Sequence, residues 1–157
     1  METLKRFIAE HAFFENMPSD YLDVLVGCAA NASFKKGQEI VKEGGRANAF
    51  YVVRSGKVGI EISNPGHKGV VIQTLGEGDV FGWEWLIPPH TWYLSARALE
   101  DTRALAFDGE CLRTKSEENK AMGYELMKRF AQIIVVRLHH ARLQIVDLAA
   151  TPQVTIT

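Results

Sequence analysis

The chain contains 157 residues, of which 46% are hydrophobic and 24% are charged, and its formal net charge is −1. These values are typical of a globular domain with one core, and they give no electrostatic reason to expect nucleic acid or an anionic membrane as a partner. The amphipathic N-terminus lacks the apolar region and cleavage site of a signal peptide, and no apolar run is long enough to span a membrane. We therefore expect one cytoplasmic domain over residues 1–157.

Two cysteines, Cys28 and Cys111, lie far apart in the sequence and match no metal-binding spacing. In a reducing cytoplasm, isolated cysteines are usually buried free thiols. We therefore expect two free thiols and no metal site.

Residues 1–30 are predicted to be helical. A short helix is expected over residues 3–11, and Pro18 begins a second helix because proline suits the first helical position. Apolar residues then recur at helical spacing, at Leu22, Leu25 and Val26.

Residues 33–108 are predicted to form short strands separated by turn residues. Residues 49–53 are aromatic and β-branched, and residues 57–62 alternate between polar and apolar. The dipeptide Ser55-Gly56 between them predicts a β-hairpin. Further strands are predicted at residues 70–75 and 104–107. Many short strands at regular spacing are typical of a sandwich, roll or barrel.

Residues 116–150 are predicted to form one long helix. Ser116 is the expected N-cap, and Glu117 and Glu118 would complement the first turn. The helix is expected to end near Ala150, before Thr151-Pro152. Its apolar residues recur in steps of three and four and so form a heptad seam, at Met127, Ala131, Ile134, Leu138, Ala141, Ile145 and Leu148.

A second apolar face of this helix is formed by Leu126, Phe130 and Ile133. A helix with two apolar faces needs two neighbours. We expect the second face to pack on the chain's own roll and the seam to form a homodimer. The alternative is that both faces pack within one monomer.

The segment from residue 76 to residue 98 reads as a strand, a corner at Phe81-Gly82, one short helical turn, a loop and another strand. A glycine at such a corner lets backbone N–H groups approach an anion. This order of elements resembles the phosphate-binding cassette of the cyclic nucleotide-binding domain family. The segments that carry the resemblance are FKKGQEIVKEGGRANAFYVVRSGKVGI (34–60), GEGDVFGW (76–83), SARALEDTRALAF (95–107) and LMKRFAQIIVVRLHHARLQIVDL (126–148).

More closely, the chain resembles the sensor half of the catabolite activator protein family. That resemblance implies a mainly β fold, a double-stranded β-helix or jelly roll, with short N-terminal helices and a long C-terminal dimerisation helix. It also implies a regulatory, non-enzymatic role with a cyclic nucleotide as the candidate ligand. In such transcription factors a winged helix-turn-helix follows the long helix, whereas only residues 151–157 follow it here. Direct DNA binding is therefore not expected.

The cassette departs from the family pattern in its charged residues. The family has a glutamate after Phe-Gly, but Trp83 stands there and Glu84 comes one residue later. The position of the family's phosphate-binding arginine falls on or beside Trp92-Tyr93, and no Lys or Arg lies between Lys68 and Arg97. His90 would be a weak substitute. Because a bidentate guanidinium contact is lost, we expect weak binding of cyclic AMP, or none.

The aromatic residues of the cassette allow two interpretations. They line a pocket for a less charged ligand, or they fill the pocket themselves. On the long helix, Arg142 or His139 is placed to reach a ligand or a partner subunit, while the adjacent His139 and His140 cannot chelate one metal. The candidate ligand-binding residues are Phe81, Gly82, Trp83, Glu84, Trp85, Trp92, Tyr93, Ser95 and Arg142.

Two functional hypotheses follow from the sequence. The first is a dimeric regulatory sensor that binds a small molecule and acts through its C-terminal helix. The second is a ligand-free interaction or dimerisation module with a tryptophan-filled pocket. A cupin-type enzyme is disfavoured, because the β region has only His67 and His90, on separate loops, and no recognisable nucleophile.

Overall fold

The computed structural model of the chain describes residues 2–64 and 66–150. The residues expected to follow the long helix, 151–157, lie outside the described residues.

Two α-helices and a 3-10 turn form the N-terminal region. Helix α1 covers Glu2–Glu10, the 3-10 turn covers Ala12–Phe14, and helix α2 covers Ser19–Gly27. Pro18 is the N-cap of α2, one position before the helix, and its carbonyl accepts hydrogen bonds from the amides of Tyr21 and Leu22. The prediction of two short helices is confirmed.

The β region is a jelly roll of two four-stranded antiparallel sheets, as predicted. In the first sheet the strand order is β1-β8-β3-β6, and in the second it is β2-β7-β4-β5. The strands in chain order are β1 Ala29–Phe34, β2 Glu39–Val41, β3 Ala49–Ser55, β4 Val58–Asn64, β5 His67–Leu75, β6 Val80–Phe81, β7 Ser95–Ala98 and β8 Thr102–Asp108.

The predicted hairpin of residues 49–53 and 57–62 is wrong. Strand β3 pairs with β6 and β8, whereas β4 pairs with β5 and β7, so Gly56 marks a crossing from one sheet to the other. Gly56 has a φ of +97°, and a Cβ there would lie 2.5 Å from the carbonyl oxygen of Asp101. Only glycine fits this crossing. A short Ser-Gly link has the same composition whether it joins two paired strands of a hairpin or, as here, two strands of different sheets.

The predicted long helix is two helices, α3 Gly109–Glu118 and α4 Lys120–Ala150. Ser116 is not an N-cap: it lies inside α3, and its hydroxyl has no hydrogen-bond partner among the described residues. The caps are Asp108, which accepts from the amide of Cys111 at 3.0 Å, and Asn119, which accepts from the amide of Met122 at 3.1 Å. Glu117 and Glu118 therefore end a helix and do not begin one.

The buried residues form two clusters on opposite faces of the first sheet. The helix-side core lies between this sheet and the helices, and it contains Leu126 and Phe130 with Ile133 packed against it. The expected packing of this face of α4 on the roll is confirmed. The interior core lies between the two sheets and consists of Val41, Ala47, Val53, Val58, Ile60, Leu75, Phe81, Trp92 and Ala96.

The expectation of two free thiols is also wrong. Cys28 and Cys111 form a disulfide with a Cα–Cα distance of 5.8 Å, across a sequence separation of 83 residues. Cys28 is the C-cap of α2 and Cys111 lies in the first turn of α3, and the fold places these two helix ends side by side. The long separation of the two cysteines in the sequence did not indicate that they lie close together in the fold.

The heptad seam of α4 does not pack within the chain. Of its seven residues Ile134 is half-buried, and the other six are exposed. The alternative in which both apolar faces pack inside one monomer is therefore excluded.

In the described part of the chain, no helix is long and apolar enough to cross a membrane.

Candidate functional site

The cassette corner is built on Gly82. Strand β6 ends at Phe81, Gly82 adopts a left-handed φ of +98°, and a 3-10 turn follows over Trp83–Leu86. A Cβ at Gly82 would lie 3.0 Å from Cη2 of Trp92 and 3.1 Å from the carbonyl oxygen of Ala49. The predicted glycine corner and short helical turn are therefore present.

Two of the candidate tryptophans fill space on different sides of the first sheet. Trp85 is completely buried in the helix-side core, with its ring centroid 5.7 Å from that of Phe50 and 5.8 Å from that of Phe130. Trp92 is 3% exposed and belongs to the interior core. The two residues do not meet, so they do not form the walls of one aromatic pocket.

The interior of the roll beside the corner is also occupied by Phe81. Neighbouring residues of a strand point to opposite faces, so Phe81 enters the interior core while Val80 enters the helix-side core. The Phe81 ring stacks on that of Tyr51 at a centroid distance of 5.0 Å. Phe81 and Trp92 together take up interior space next to Gly82.

Glu84 is buried within the 3-10 turn and is only 5% exposed. Its Oε2 atom has no hydrogen-bond partner among the described residues. Burial raises the pKa of Glu84 from 4.5 to about 7, and backbone N–H groups of Glu84 and Tyr93 and the charge of Arg137 partly oppose this rise. The side chain of Glu84 is therefore held inside the protein, beside a cation that comes from α4.

Arg137 is the residue at this site that the sequence prediction missed. Its guanidinium donates to the carbonyl oxygen of Val80 and lies 5.2 Å from the centroid of the Trp83 ring. Burial lowers the pKa of Arg137, and the carboxylates of Asp79 and Glu84 oppose this change. A guanidinium thus reaches the cassette corner, but from the helix side and not from the cassette loop.

The position of Arg137 follows from helical periodicity. It lies seven residues after buried Phe130 and four after Ile133, and so continues the core-facing stripe of α4. The predicted cation, Arg142, is exposed and lies about 140° from Arg137 around the helix axis. Extending the stripe by one turn would have found Arg137 in the sequence.

The remaining candidates lie away from the interior. Tyr93 is exposed. Ser95 accepts a hydrogen bond from the amide of Glu43 at 2.9 Å, on the face of β7 opposite to buried Ala96. Arg97 lies on the same face as Ser95 and donates to Oε1 of Glu61 at 3.0 Å, so it does not replace the missing cassette arginine. His90 is half-buried, in a left-handed conformation with a φ of 56°.

A cleft of about 730 Å³ lies outside the roll, between the 3-10 turn after α1, the turn before β6, and α4. Arg129 closes one side by donating to the carbonyl oxygens of Phe13 at 2.6 Å and Glu15 at 2.7 Å. His11 closes another side through Nε2, which lies 2.8 Å from the carbonyl oxygen of Gly78. Arg137 forms part of the lining, so the cleft adjoins the helix side of the cassette.

No group of three or more His, Cys, Asp or Glu residues suited to a metal ion occurs within residues 2–64 and 66–150.

The sequence of residues 32–119 matches the family model described as the cyclic nucleotide-binding domain. The chain belongs to this family. Among curated relatives of this cyclic nucleotide-binding domain, the human cGMP-dependent protein kinase 2 is 27% identical over 141 residues, which are 88% of this chain and 18% of the kinase. The CRP-like cAMP-activated global transcriptional regulator of Mycobacterium tuberculosis is 22% identical over 148 residues, which are 94% of this chain and 64% of that protein. The chain thus spans less than two thirds of the length of these curated relatives.

Solved structures are similar over most of the chain. A Geobacter metallireducens protein named for cyclic nucleotide binding has a TM-score of 0.78 and 29% identity, covering 88% of this chain and 100% of its own. The catabolite activator protein of Thermus thermophilus has a TM-score of 0.69 and 25% identity, covering 87% of this chain and 62% of its own. The expected relationship to the sensor part of catabolite activator proteins is confirmed.

Proposed function

We propose that this chain is a regulatory sensor domain of the cyclic nucleotide-binding type that acts through α4. Membership of the family supports a regulatory binding role. The observation that carries the proposal is the contact of Arg137 with the cassette corner, because it joins the ligand-recognition segment of the family to the helix that presents the seam. A ligand that binds two arrangements of this helix unequally shifts their populations.

Cyclic AMP and cyclic GMP are the first effectors to test, and we propose that they bind weakly. The human relative is named for cGMP and the mycobacterial relative for cAMP. In this chain the cassette loop supplies no guanidinium, Arg97 is bonded elsewhere, and Trp92 occupies interior space beside Gly82. Loss of a buried bidentate contact to the phosphate costs roughly 2–5 kcal/mol, so dissociation constants above about 10 μM are expected.

The output of the sensor is proposed to be a homodimer formed through the seam of α4. The seam residues are apolar and mostly exposed in the single chain, and a heptad spacing allows two such helices to pack. The proposed unit is one domain over residues 1–157 without catalytic or direct DNA-binding activity. The cytoplasmic location expected from the sequence is not favoured by the disulfide between Cys28 and Cys111, because stable disulfides are rare in a reducing cytosol.

Calorimetry with cyclic AMP and cyclic GMP, combined with hydrogen exchange of α4, tests the sensor proposal. We expect dissociation constants above about 10 μM. We also expect amide exchange in α4 to change when the nucleotide is in excess. Binding with a dissociation constant below about 10 μM would overturn the weak-binding part. Binding that leaves exchange in α4 unaltered would overturn signalling through the helix.

The burial of Phe81 and Trp92 in the interior core favours a second candidate, a ligand-free interaction or dimerisation module. A ligand that binds only the native state raises the melting temperature by mass action. If neither cyclic nucleotides nor a panel of uncharged metabolites raises the melting temperature, while the protein remains a dimer, the module is the better description.

A further inference from the structure

We propose that a groove between α3, the first turns of α4 and the segment 85–90 binds a small organic carboxylate with an apolar body. This α3–α4 groove has a volume of about 530 Å³, which lies within the range of small-molecule sites. None of the described residues that line it belongs to the interior core of the roll. The inference therefore goes beyond the proposed function, because it concerns a second site that needs no cyclic nucleotide.

Two buried polar groups on residues that line the groove lack hydrogen-bond partners. The indole N–H of Trp85 and the hydroxyl of Ser116 make no hydrogen bond to any described residue. Trp85 is completely buried, and the burial of a donor without a partner is costly. Such groups in native proteins usually have a ligand, an ion or an ordered water as partner. The proposed ligand supplies the missing acceptor.

Ser116 is unusual for a serine inside a helix. A helical serine that does not face water commonly donates to the carbonyl oxygen one turn earlier, here that of Leu112, and Ser116 makes no such bond. Its hydroxyl is enclosed because α4 approaches closely: a Cβ at Gly123 would lie 3.0 Å from the Cβ of Ser116. Glycine at position 123 thus lets the two helices meet beside the groove.

The charged side chains of the groove favour an anion. Arg113 and Lys120 line it together with one acidic residue, Glu117. Arg113 donates one N–H to the carbonyl oxygen of Trp85 at 2.8 Å, and no other partner of its guanidinium is found among the described residues. Lys120 is the first residue of α4, where the helix terminus adds a partial positive charge. A ligand group that only accepts hydrogen bonds suits this set of donors, and a carboxylate is such a group.

The rest of the wall is apolar and consists of the Trp85 ring with Leu86, Pro88 and Met127. These side chains would contact the apolar body of the ligand. With His90 neutral, the two cations and one carboxylate of the lining leave a single net positive charge. That charge matches a monoanion better than a phosphate dianion, whose desolvation would need more compensation.

NMR titration of the indole N–H resonances tests the site in the whole chain. The probes are benzoate and octanoate, an aromatic and an aliphatic monocarboxylate, and benzamide is the control that keeps an acceptor oxygen without the charge. We expect benzoate to move the assigned indole resonance of Trp85 downfield and to leave those of Trp83 and Trp92 nearly unchanged. Benzoate should bind at least about fivefold more tightly than benzamide, because hydrogen bonds to a charged acceptor are stronger.

Ser116→Ala separates a binding role of the hydroxyl from a structural one. The dissociation constant for benzoate should rise at least about fivefold, while the melting temperature without ligand should stay equal or increase, because an unpartnered buried hydroxyl is removed. A lower melting temperature together with unchanged benzoate affinity would assign the serine to structure and overturn its role in the groove.

Lys120→Gln is expected to weaken benzoate binding about threefold, since one exposed cation is lost. Lys128→Gln is the matched control: Lys128 lies on the same helix, forms an ion pair with Glu125 at 3.0 Å, and does not line the groove. Equal weakening in the two variants would show only a general charge effect and would count against the site.

Two further results would overturn the proposal outright. The first is an indole resonance of Trp85 that neither benzoate nor octanoate moves at about 20 mM, a concentration that detects binding free energies of only a few kcal/mol. The second is equal affinity for benzoate and benzamide, since the groove would then recognise apolar surface and not a carboxylate. Cyclic nucleotide binding is measured separately, so the failure of one proposal leaves the other standing.

Discussion

Trp92 lies against Gly82 so closely that a β-carbon on residue 82 would come within 3.0 Å of its Cη2 atom. The glycine is thus required twice, by its left-handed φ of +98° and by the indole packed on it. The same contact brings the loop before β7 into the interior core. The shape of the cassette corner and the filling of the roll interior are therefore parts of one packing arrangement.

Gly82→Ala is expected to destabilise the protein by about 2 kcal/mol or more, because the left-handed conformation costs roughly 1–2 kcal/mol and the methyl group would collide with Trp92. For a domain of this size the melting temperature should fall by about 4–8 °C. Gly76→Ala is the matched control, since a Cβ there meets nothing within 4 Å. Equal melting temperatures for the two variants would show that the corner tolerates a side chain.

Trp92→Ala is expected to cost about 3–5 kcal/mol, because it removes a large side chain from a packed core and leaves a cavity. The neighbouring Tyr93→Ala serves as control: Tyr93 is 67% exposed and its truncation should change stability by less than about 0.5 kcal/mol. Urea unfolding of both variants measures the difference. If Trp92→Ala were as stable as Tyr93→Ala, the indole would not be filling the roll.

Glu84 should make the stability of the wild type depend on pH. Its pKa in the folded protein is about 7 against an ordinary value of 4.5, so the native state binds the proton more tightly than the unfolded state. The resulting stabilisation is fully present below about pH 4.5 and is lost as the pH rises through about 7. Arg137 from α4 is the cation that opposes the shift, and Asp79 from the turn before β6 also attracts that guanidinium.

Glu84→Gln removes this dependence while keeping the size of the side chain. Between about pH 4.5 and pH 8 the wild type should lose up to about 3 kcal/mol relative to the variant. Urea unfolding of both proteins at several pH values measures the difference. A free-energy difference between them that stays constant over this range would contradict the burial of an ionisable Glu84.

The disulfide between Cys28 and Cys111 should contribute substantially to stability, since it closes a loop with a sequence separation of 83 residues. In the chain-entropy description this corresponds to about 4.5 kcal/mol. We expect the double variant Cys28→Ser/Cys111→Ser to melt well below the oxidised wild type and close to the reduced wild type. Mass spectrometry of the unfolded, unreduced protein after thiol alkylation checks the bond itself: two alkylated cysteines would show that it is absent.

Ile145→Glu is expected to convert the proposed dimer into a monomer, whereas Val146→Glu should not. The two neighbouring residues are both β-branched and both exposed, at 65% and 58%, but they lie about 100° apart around α4, and only Ile145 belongs to the seam. Sedimentation at micromolar concentration distinguishes the outcomes. A monomeric wild type, or equal dissociation in both variants, would count against the seam as the interface.

Local features of the site could be predicted from the sequence, and features created by packing between distant segments could not. The Phe81-Gly82 corner and the stripe of Leu126 and Phe130 depend on neighbouring residues and on helical periodicity. Arg137 was missed because the loop between Lys68 and Arg97 contains no cation and the prediction placed the helix cation at Arg142, whereas the guanidinium that reaches the corner continues the core-facing stripe of α4.

Three errors in the predicted fold have similar origins. The link Ser55-Gly56 has the composition of a hairpin turn, but the partners of β3 and β4 are set by strands far away in the sequence. Ser116 with its acidic neighbours looks like a helix start, although Asp108 and Asn119 are the residues whose side chains cap. The disulfide forms because the end of α2 packs beside the start of α3, and the spacing of two cysteines in the sequence does not indicate this packing.

The interruption at Asn119 has a geometrical consequence for α4. Because the helix starts afresh there, its direction is set by its own packing, with Met122, Leu126 and Phe130 buried in the helix-side core, while α3 is anchored by the hydrogen bond from Arg113 to the carbonyl oxygen of Trp85 at 2.8 Å. The 31 residues of α4 extend over about 46 Å at a rise of 1.5 Å per residue. A change of direction of about 10° beyond Phe130, the last fully buried residue of α4, would displace Leu148 by about 5 Å, so a small adjustment near the roll becomes a large displacement at the end of the helix.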